Sequence, residues 1–230
     1  MHPGSPQSRF VIFDLDGTLF DTRGDIARAV NAGLAAHGLP TAEKELIVSF
    51  VGNGVGRLVD RTLEAVGGDP ALAPRVAQSL VDFYLLHPVD QTRPYPGVEA
   101  VLEALSDVPL AVASNKPTAL CQMIVDHFGL TPRFREVLGG DWGGPRKPDP
   151  AVLLELARRL DRPASAGIMV GDSVMDLRAG QAASMRTVAA LYGFRPAAEL
   201  LAAGPDASVS LAADLAVAVP ELLAQNSGGQ

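Results

Sequence analysis

Five short apolar runs punctuate the chain, each closing on polar or glycine-rich residues: RFVIFD at 9–14, PLAVASN at 109–115, REVLGGD at 135–141, AGIMVGD at 166–172 and RTVAALYG at 186–193. Runs of this kind fit strands buried on both faces of a parallel sheet. Between them apolar residues recur at helical spacing, at Val98, Val101, Leu102 and Leu105, at Leu120, Ile124 and Phe128, and at Leu153, Leu156, Ala157 and Leu160. Each set predicts a helix with one buried face. The alternation predicts an α/β fold, a doubly wound, mainly parallel, Rossmann-like sheet of five or six strands. Residues 22–92 break the alternation. Ile26, Val30 and Leu34, then Val59, Leu63 and Val66, then Val76, Leu80 and Phe83 predict three or four helices and no strand. The reading is a small α-helical cap, residues 21–92, inserted into a core domain of residues 1–20 and 93–230. The two-proline stretch RPYPG at 93–97 suits a semi-rigid hinge at its exit. The leader MHPGSPQSRF and the tail QNSGGQ are expected to be loose.

Composition narrows the function classes. With 47% hydrophobic and 20% charged residues, the 230-residue chain has the make-up of an ordinary globular protein. No apolar run approaches the roughly 20 residues that cross a bilayer. The formal net charge of -7 argues against a basic surface for nucleic acid or anionic lipid. Cys121 is the single cysteine, so no internal disulfide forms, and its helical setting suggests a buried small side chain. No secretory signal pattern precedes the first strand, and a cytoplasmic location is the expectation. His2, His37, His87 and His127 are scattered without ligand spacing. The alanine-rich helices leave monomer and homodimer both open.

The strand ends carry the candidate chemistry. In an open parallel sheet, ligands collect beyond the carboxyl ends of the strands. Here the first strand ends in Asp14 and Asp16, the second in Ser114 and Asn115, and the fourth in Asp172, with Asp176 four residues on; Lys147 lies in the loop after the third. Like charges about 4 Å apart repel by roughly 4 kcal/mol at an effective dielectric of 20, so the acids require a cation. All-oxygen ligands select a hard ion, and a phosphate-bearing substrate favours Mg²⁺. Asp14 and Asp16, two apart on a strand, address one ligand, and Gly17 permits a sharp turn behind them. Taken singly, Asp172, Asp176 and Ser114 also suit turns and helix N-caps; the ordered set points to phosphate transfer.

The segments DLDGT, VASNK, RKPDP and VGDSVMD resemble, in order, the four motifs of the haloacid dehalogenase superfamily of phosphotransferases, and segment 22–92 is similar to its small cap. Within it, DTRGDIARAVNAGLAAHGLP, FVGNGVGRLVDRTL and TRPYPGVEAVLEAL resemble the phosphoglycolate phosphatases. The resemblance implies an aspartyl-phosphate mechanism with Asp14 as nucleophile and Asp16 as acid and base. It implies phosphoryl binding by Ser114, the Asn115 amide and Lys147. It implies a Mg²⁺ site of Asp14, the Asp16 carbonyl, Asp172 and Asp176, the last direct or through water. The substrate expected is a small phosphorylated metabolite, 2-phosphoglycolate foremost. In the cap, VGNGVGR at 51–57 is either a turn or a substrate-facing loop, with Gly52, Asn53, Gly54 and Arg57 as contacts; Arg23 and Arg57 are candidates for a substrate carboxylate. Three other readings compete. A β-phosphoglucomutase-like transferase is disfavoured, because that family usually has valine at Thr18 and lacks an acid at Asp176. A phosphatase for a sugar phosphate or pyrophosphate stays open. A receiver-type signalling domain stores its phosphate; Asp16, placed to activate water, and the cap of roughly 70 residues both point away from it.

Overall fold

The computed structural model describes residues 8–225; most of the leader, including His2, and the polar tail beyond Gln225 lie outside them. The chain enters through β1 (Phe10–Phe13) and a short β2 (Phe20–Asp21). Four helices follow, α1 (Arg23–Ala35), α2 (Lys44–Phe50), α3 (Gly54–Val66) and α4 (Ala73–Leu86), before a short β3 (Arg93–Pro94). Strands and helices then alternate: α5 (Val98–Ala104), β4 (Leu110–Ala113), α6 (Thr118–His127), β5 (Phe134–Leu138), α7 (Ala151–Arg159), β6 (Gly167–Gly171), α8 (Val174–Ala182), β7 (Arg186–Ala190), α9 (Ala197–Ala202), β8 (Ala207–Val209) and α10 (Leu215–Gln225).

The main sheet has six strands in the order β5-β4-β1-β6-β7-β8, and its pairings are parallel. All four residues of β1 are buried, because helices cover both faces. Val11 and Phe13 turn toward α5, α6 and α10, meeting Leu102, Ile124 and Val219. Phe10 and Ile12 turn the other way, toward α7 and α8, meeting Leu153, Leu156 and Ala179. The sequence pattern located five of these strands. The sixth, β8, escaped it: only Val209 of its three residues is buried, so no apolar run marks it.

The helices α1 to α4 share their own apolar cluster, with Val30 and Leu34 against Val59, Leu63, Val76 and Leu80. That cluster also takes in Leu120 from α6 and Phe194 from the loop after β7, so apolar packing continues across to the sheet domain. At the neck β2 and β3 pair antiparallel, Phe20 with Pro94 and Asp21 with Arg93, a ladder too short to show as periodicity. Asp25, 1% exposed, closes the neck. Its carboxylate accepts from the backbone N–H groups of Gln91 (2.9 Å) and Thr92 (2.8 Å) and from the Thr92 hydroxyl (2.8 Å). Among the described residues no helix is long and apolar enough to cross a membrane.

Asp25→Ala strands three donors, the two of Thr92 buried and the Gln91 N–H part-buried, and each orphaned buried donor costs about 1–3 kcal/mol. The expected outcome is a stability loss of about 3 kcal/mol, read as a lower urea midpoint with an unchanged slope. A midpoint shift of under about 1 kcal/mol would mean that the neck does not depend on this carboxylate.

Candidate active site

β1 lies between β4 and β6, and the chain adds strands first on one side of it and then on the other. This is the point where a doubly wound sheet opens a crevice at its carboxyl edge. Asp14 extends β1 by one rung, its N–H donating to the Val170 carbonyl (2.9 Å). The chain then turns at Gly17, where φ is +81° and an added Cβ would stand 2.1 Å from Asp172 Oδ2. No larger residue allows the turn to pass so close beneath that carboxylate. Asp172 leaves the end of β6, buried, and Oδ2 accepts from the Phe194 N–H (2.6 Å). Asp176 sits in the first turn of α8 in a reciprocal capping arrangement: Oδ2 accepts from the Ser173 N–H (3.0 Å) and hydroxyl (2.6 Å). Ser173 is the N-cap and Asp176 its N3 partner, so helix capping engages a side chain that also lines the cleft.

Lys147 places one ammonium among these acids. Nζ is 3.0 Å from Asp14 Oδ1 and 2.6 Å from Asp176 Oδ1, and the side chain is 2% exposed. One cation is shared between two carboxylates. Burial disfavours the Lys147 ammonium, but Asp14 and Asp176 reverse that and hold its pKa above the ordinary value. Asp14 gains less than it gives. Burial pushes its pKa up to about 7, Lys147 pulls it down, and Asp176 and Asp16 push it up again. Burial, then the charges of Asp14 and Asp176, raises Asp172 well above the usual carboxylate range.

The cluster fits a divalent metal ion. Asp14, Asp172 and Asp176 each bring a carboxylate oxygen within 4.8 Å of the others. Asp176 Oδ1 is buried, and its partner is the Lys147 ammonium, which it shares with Asp14. A buried, all-oxygen donor set of three carboxylates served by one ammonium suits a hard cation.

The cleft between the sheet edge and the helices encloses about 720 Å³, its open mouth included, and Asp14, Asp16, Ser114, Asn115, Lys147, Asp172 and Asp176 all line it. Ser114 ends β4. The Asn115 carboxamide is committed elsewhere: Nδ2 donates to the carbonyls of Gly52 (2.8 Å) and Lys147 (3.0 Å), and Oδ1 accepts from the Lys147 N–H (3.1 Å). Any contact of Asn115 with a phosphoryl group therefore falls to its backbone N–H. Of the glycine-rich stretch at 51–57, Gly52 and Gly54 line the cleft. Asn53 instead lines a separate surface pocket with Arg61 and Glu199, and Arg57 points to solvent. Arg23 is half-exposed and paired with Asp21 (2.5 Å), outside the cleft.

Three lining residues escaped the sequence reading. Lys116 Nζ lies 2.9 Å from Asp16 Oδ1 and donates to the Tyr84 hydroxyl (2.8 Å). Tyr84 is on α4, one helical turn after Leu80, where the apolar stripe disguised a polar tip. Arg195 reaches from the loop after β7 to the Ser49 carbonyl (2.6 Å) and to the Val51 carbonyl. A basic residue two places beyond Ser114 was the signal available for Lys116. Cys121 is buried, and burial pushes its thiol up, as a packing residue requires. Trp142 packs its own loop, its Nε1 donating to the Pro145 carbonyl (3.0 Å).

The family model for haloacid dehalogenase-like hydrolases matches residues 11–190. The chain belongs to that family. It is 36% identical over 221 residues to a phosphoglycolate phosphatase of Yersinia pestis, covering 93% of this chain and 95% of that protein. It is 34% identical over 209 residues to one of Aquifex aeolicus, covering 90% and 94%. A crystal structure described as a "predicted phosphoglycolate phosphatase" from Haemophilus somnus superposes with a TM-score of 0.83 at 30% identity, covering 91% of this chain and 96% of that one. This haloacid dehalogenase-like hydrolase is a phosphatase.

In the metal-free phosphatase, Asp14 and Asp172 hold protons more tightly than in the unfolded chain. Their contribution to stability is present below the ordinary value of 3.8 and is lost, for Asp14, as pH rises through about 7. A cation bound by the same oxygens competes with those protons. The melting-temperature gain from saturating Mg²⁺ over EDTA is therefore expected to be small near pH 5.5 and clearly larger near pH 8. An equal gain at both pH values would contradict a shared site.

Proposed function

We propose that the protein is a Mg²⁺-dependent phosphomonoesterase that works through an aspartyl phosphate on a small phosphorylated metabolite, 2-phosphoglycolate first among them. The observation that carries this reading is Lys147, 3.0 Å from Asp14 and 2.6 Å from Asp176, beside an acidic cluster fit for a metal. Asp14 attacks phosphorus, the ester oxygen leaves, and Asp16 gives that oxygen a proton. Asp16 then takes a proton from water as the water attacks the acyl phosphate, releasing inorganic phosphate and restoring Asp14. Lys147, Ser114 and the Asn115 backbone N–H hold the phosphoryl oxygens, where fixed donors act most strongly. Asp14, the Asp16 carbonyl, Asp172 and Asp176 would hold Mg²⁺, which supplies charge neutralisation and orients the phosphoryl group. Residues 21–92 act as a cap: Ile26, Leu58, Leu80 and Tyr84 give the cleft an apolar roof that excludes water. The names of the curated relatives support phosphoglycolate as the substrate, and a cytoplasmic location accords with such a metabolite.

The test is a hydrolysis panel of about twenty phosphorylated metabolites ranked by kcat/KM, including sugar phosphates and pyrophosphate. Phosphoglycolate is expected to rank first, with turnover abolished in Asp14→Asn. Asp16→Asn is expected to lose about 10²–10⁴-fold in turnover while keeping Mg²⁺ affinity by calorimetry. Another metabolite ranking first would overturn the substrate; wild-type turnover no higher than that of Asp14→Asn would overturn the enzyme mechanism.

A further inference from the structure

Asp16 is held from two sides. The Thr22 hydroxyl donates to Oδ1 (2.6 Å), and Lys116 Nζ lies 2.9 Å from Oδ1 and 3.3 Å from Oδ2. The Lys116 side chain is 5% exposed and that of Asp16 is 11% exposed, so this ion pair is nearly as dry as the one at Asp14. A buried ammonium needs its remaining donors filled. Lys116 fills one with the Tyr84 hydroxyl (2.8 Å) and sits 4.3 Å from the centre of that ring. Tyr84 is 3% exposed and belongs to α4, across the cleft from the strand ends. The chain of contacts thus runs from the cap helix through one lysine to the carboxylate that the proposed function uses for proton transfer. A different lysine, Lys147, pairs with Asp14.

We propose that Lys116 is a positioning residue for proton transfer: anchored by Tyr84, it aims the Asp16 carboxylate into the cleft, so that acid catalysis depends on the cap being seated. The inference rests on the reading of Asp16 as the acid, and it assigns Lys116 no contact with the substrate. A seated α4 supplies the phenol that fixes Lys116, and a displaced one leaves the ammonium free to follow solvent. Binding energy spent on seating the cap would then be realised as a correctly aimed proton donor.

Leaving-group dependence separates this role from a structural one. An alkoxide needs a proton as it departs, whereas p-nitrophenolate leaves without one. We compare kcat/KM for ethyl phosphate, 2-phosphoglycolate and p-nitrophenyl phosphate in wild type, Asp16→Asn, Lys116→Met and Tyr84→Phe. Lys116→Met is expected to lose about 30-fold or more on both alkyl esters relative to the nitrophenyl ester, as Asp16→Asn does more strongly. Tyr84→Phe, which keeps the ring and the fold, is expected to show the same bias at about 3–10-fold, and it carries the test should Lys116→Met fail to fold. Equal losses on all three substrates would make Lys116 structural and overturn the inference. A loss confined to phosphoglycolate would make Lys116 a carboxylate-binding residue and overturn it equally. If wild type turns over none of the three, or Asp16→Asn shows no leaving-group bias, it is the proposed mechanism that fails. If Asp16→Asn shows the bias and neither Lys116→Met nor Tyr84→Phe does, the mechanism stands and the positioning role falls.

Discussion

Negative charge concentrated at one sheet edge, with too few cations to match it, is the constraint from which the rest of this site follows. Asp14, Asp16, Asp172 and Asp176 converge on one cleft, and the two buried lysines among them are each already engaged: Lys116 with Asp16, Lys147 with both Asp14 and Asp176. Burial that is only partly compensated raises the pKa of a carboxylate, as it does for Asp14 and Asp172. Such a cluster suits a divalent cation, which would offset the charge that the two lysines leave unmatched.

The backbone bends to keep the acids together. β1 lies between β4 and β6, so Asp14 and Asp172 leave adjacent strands. The turn at Gly17 slides beneath Asp172 with no room for a Cβ. Asp176 begins α8 with one oxygen and faces Lys147 with the other. The helices α1 to α4 close over this edge by apolar contact through Leu120 and Phe194, and Phe194 also donates its N–H to Asp172. Packing of α1 to α4 and orientation of a cleft carboxylate are thereby joined in one residue.

Much of this was legible because strand ends and site coincide. An apolar run that stops at Asp14 or Asp172 announces both the strand and its ligand-bearing end. What the sequence withheld depends on contacts between distant segments. Lys116 and Tyr84 are 32 positions apart and meet only once α4 lies over the sheet edge; Arg195 reaches the Ser49 carbonyl across 146 positions. No periodicity encodes such pairs. The Asn115 carboxamide ties Gly52 to the Lys147 loop, which leaves the backbone N–H as the Asn115 group open to a phosphoryl oxygen. Asn53 and Arg57, singled out by a glycine-rich spacing, turn away from the cleft, because Gly52 and Gly54 take the positive φ values of +116° and +81° that bring the loop's backbone, not those side chains, to the site.

The most direct test of the central claim is a crystal structure grown with Mg²⁺ and beryllium trifluoride, a mimic of the transferable phosphoryl group. The account requires beryllium bonded to an Asp14 oxygen, Mg²⁺ about 2.1 Å from oxygens of Asp14 and Asp172, and Lys147 in contact with a fluorine. Beryllium on any other residue, or Mg²⁺ bound away from these carboxylates, would contradict it.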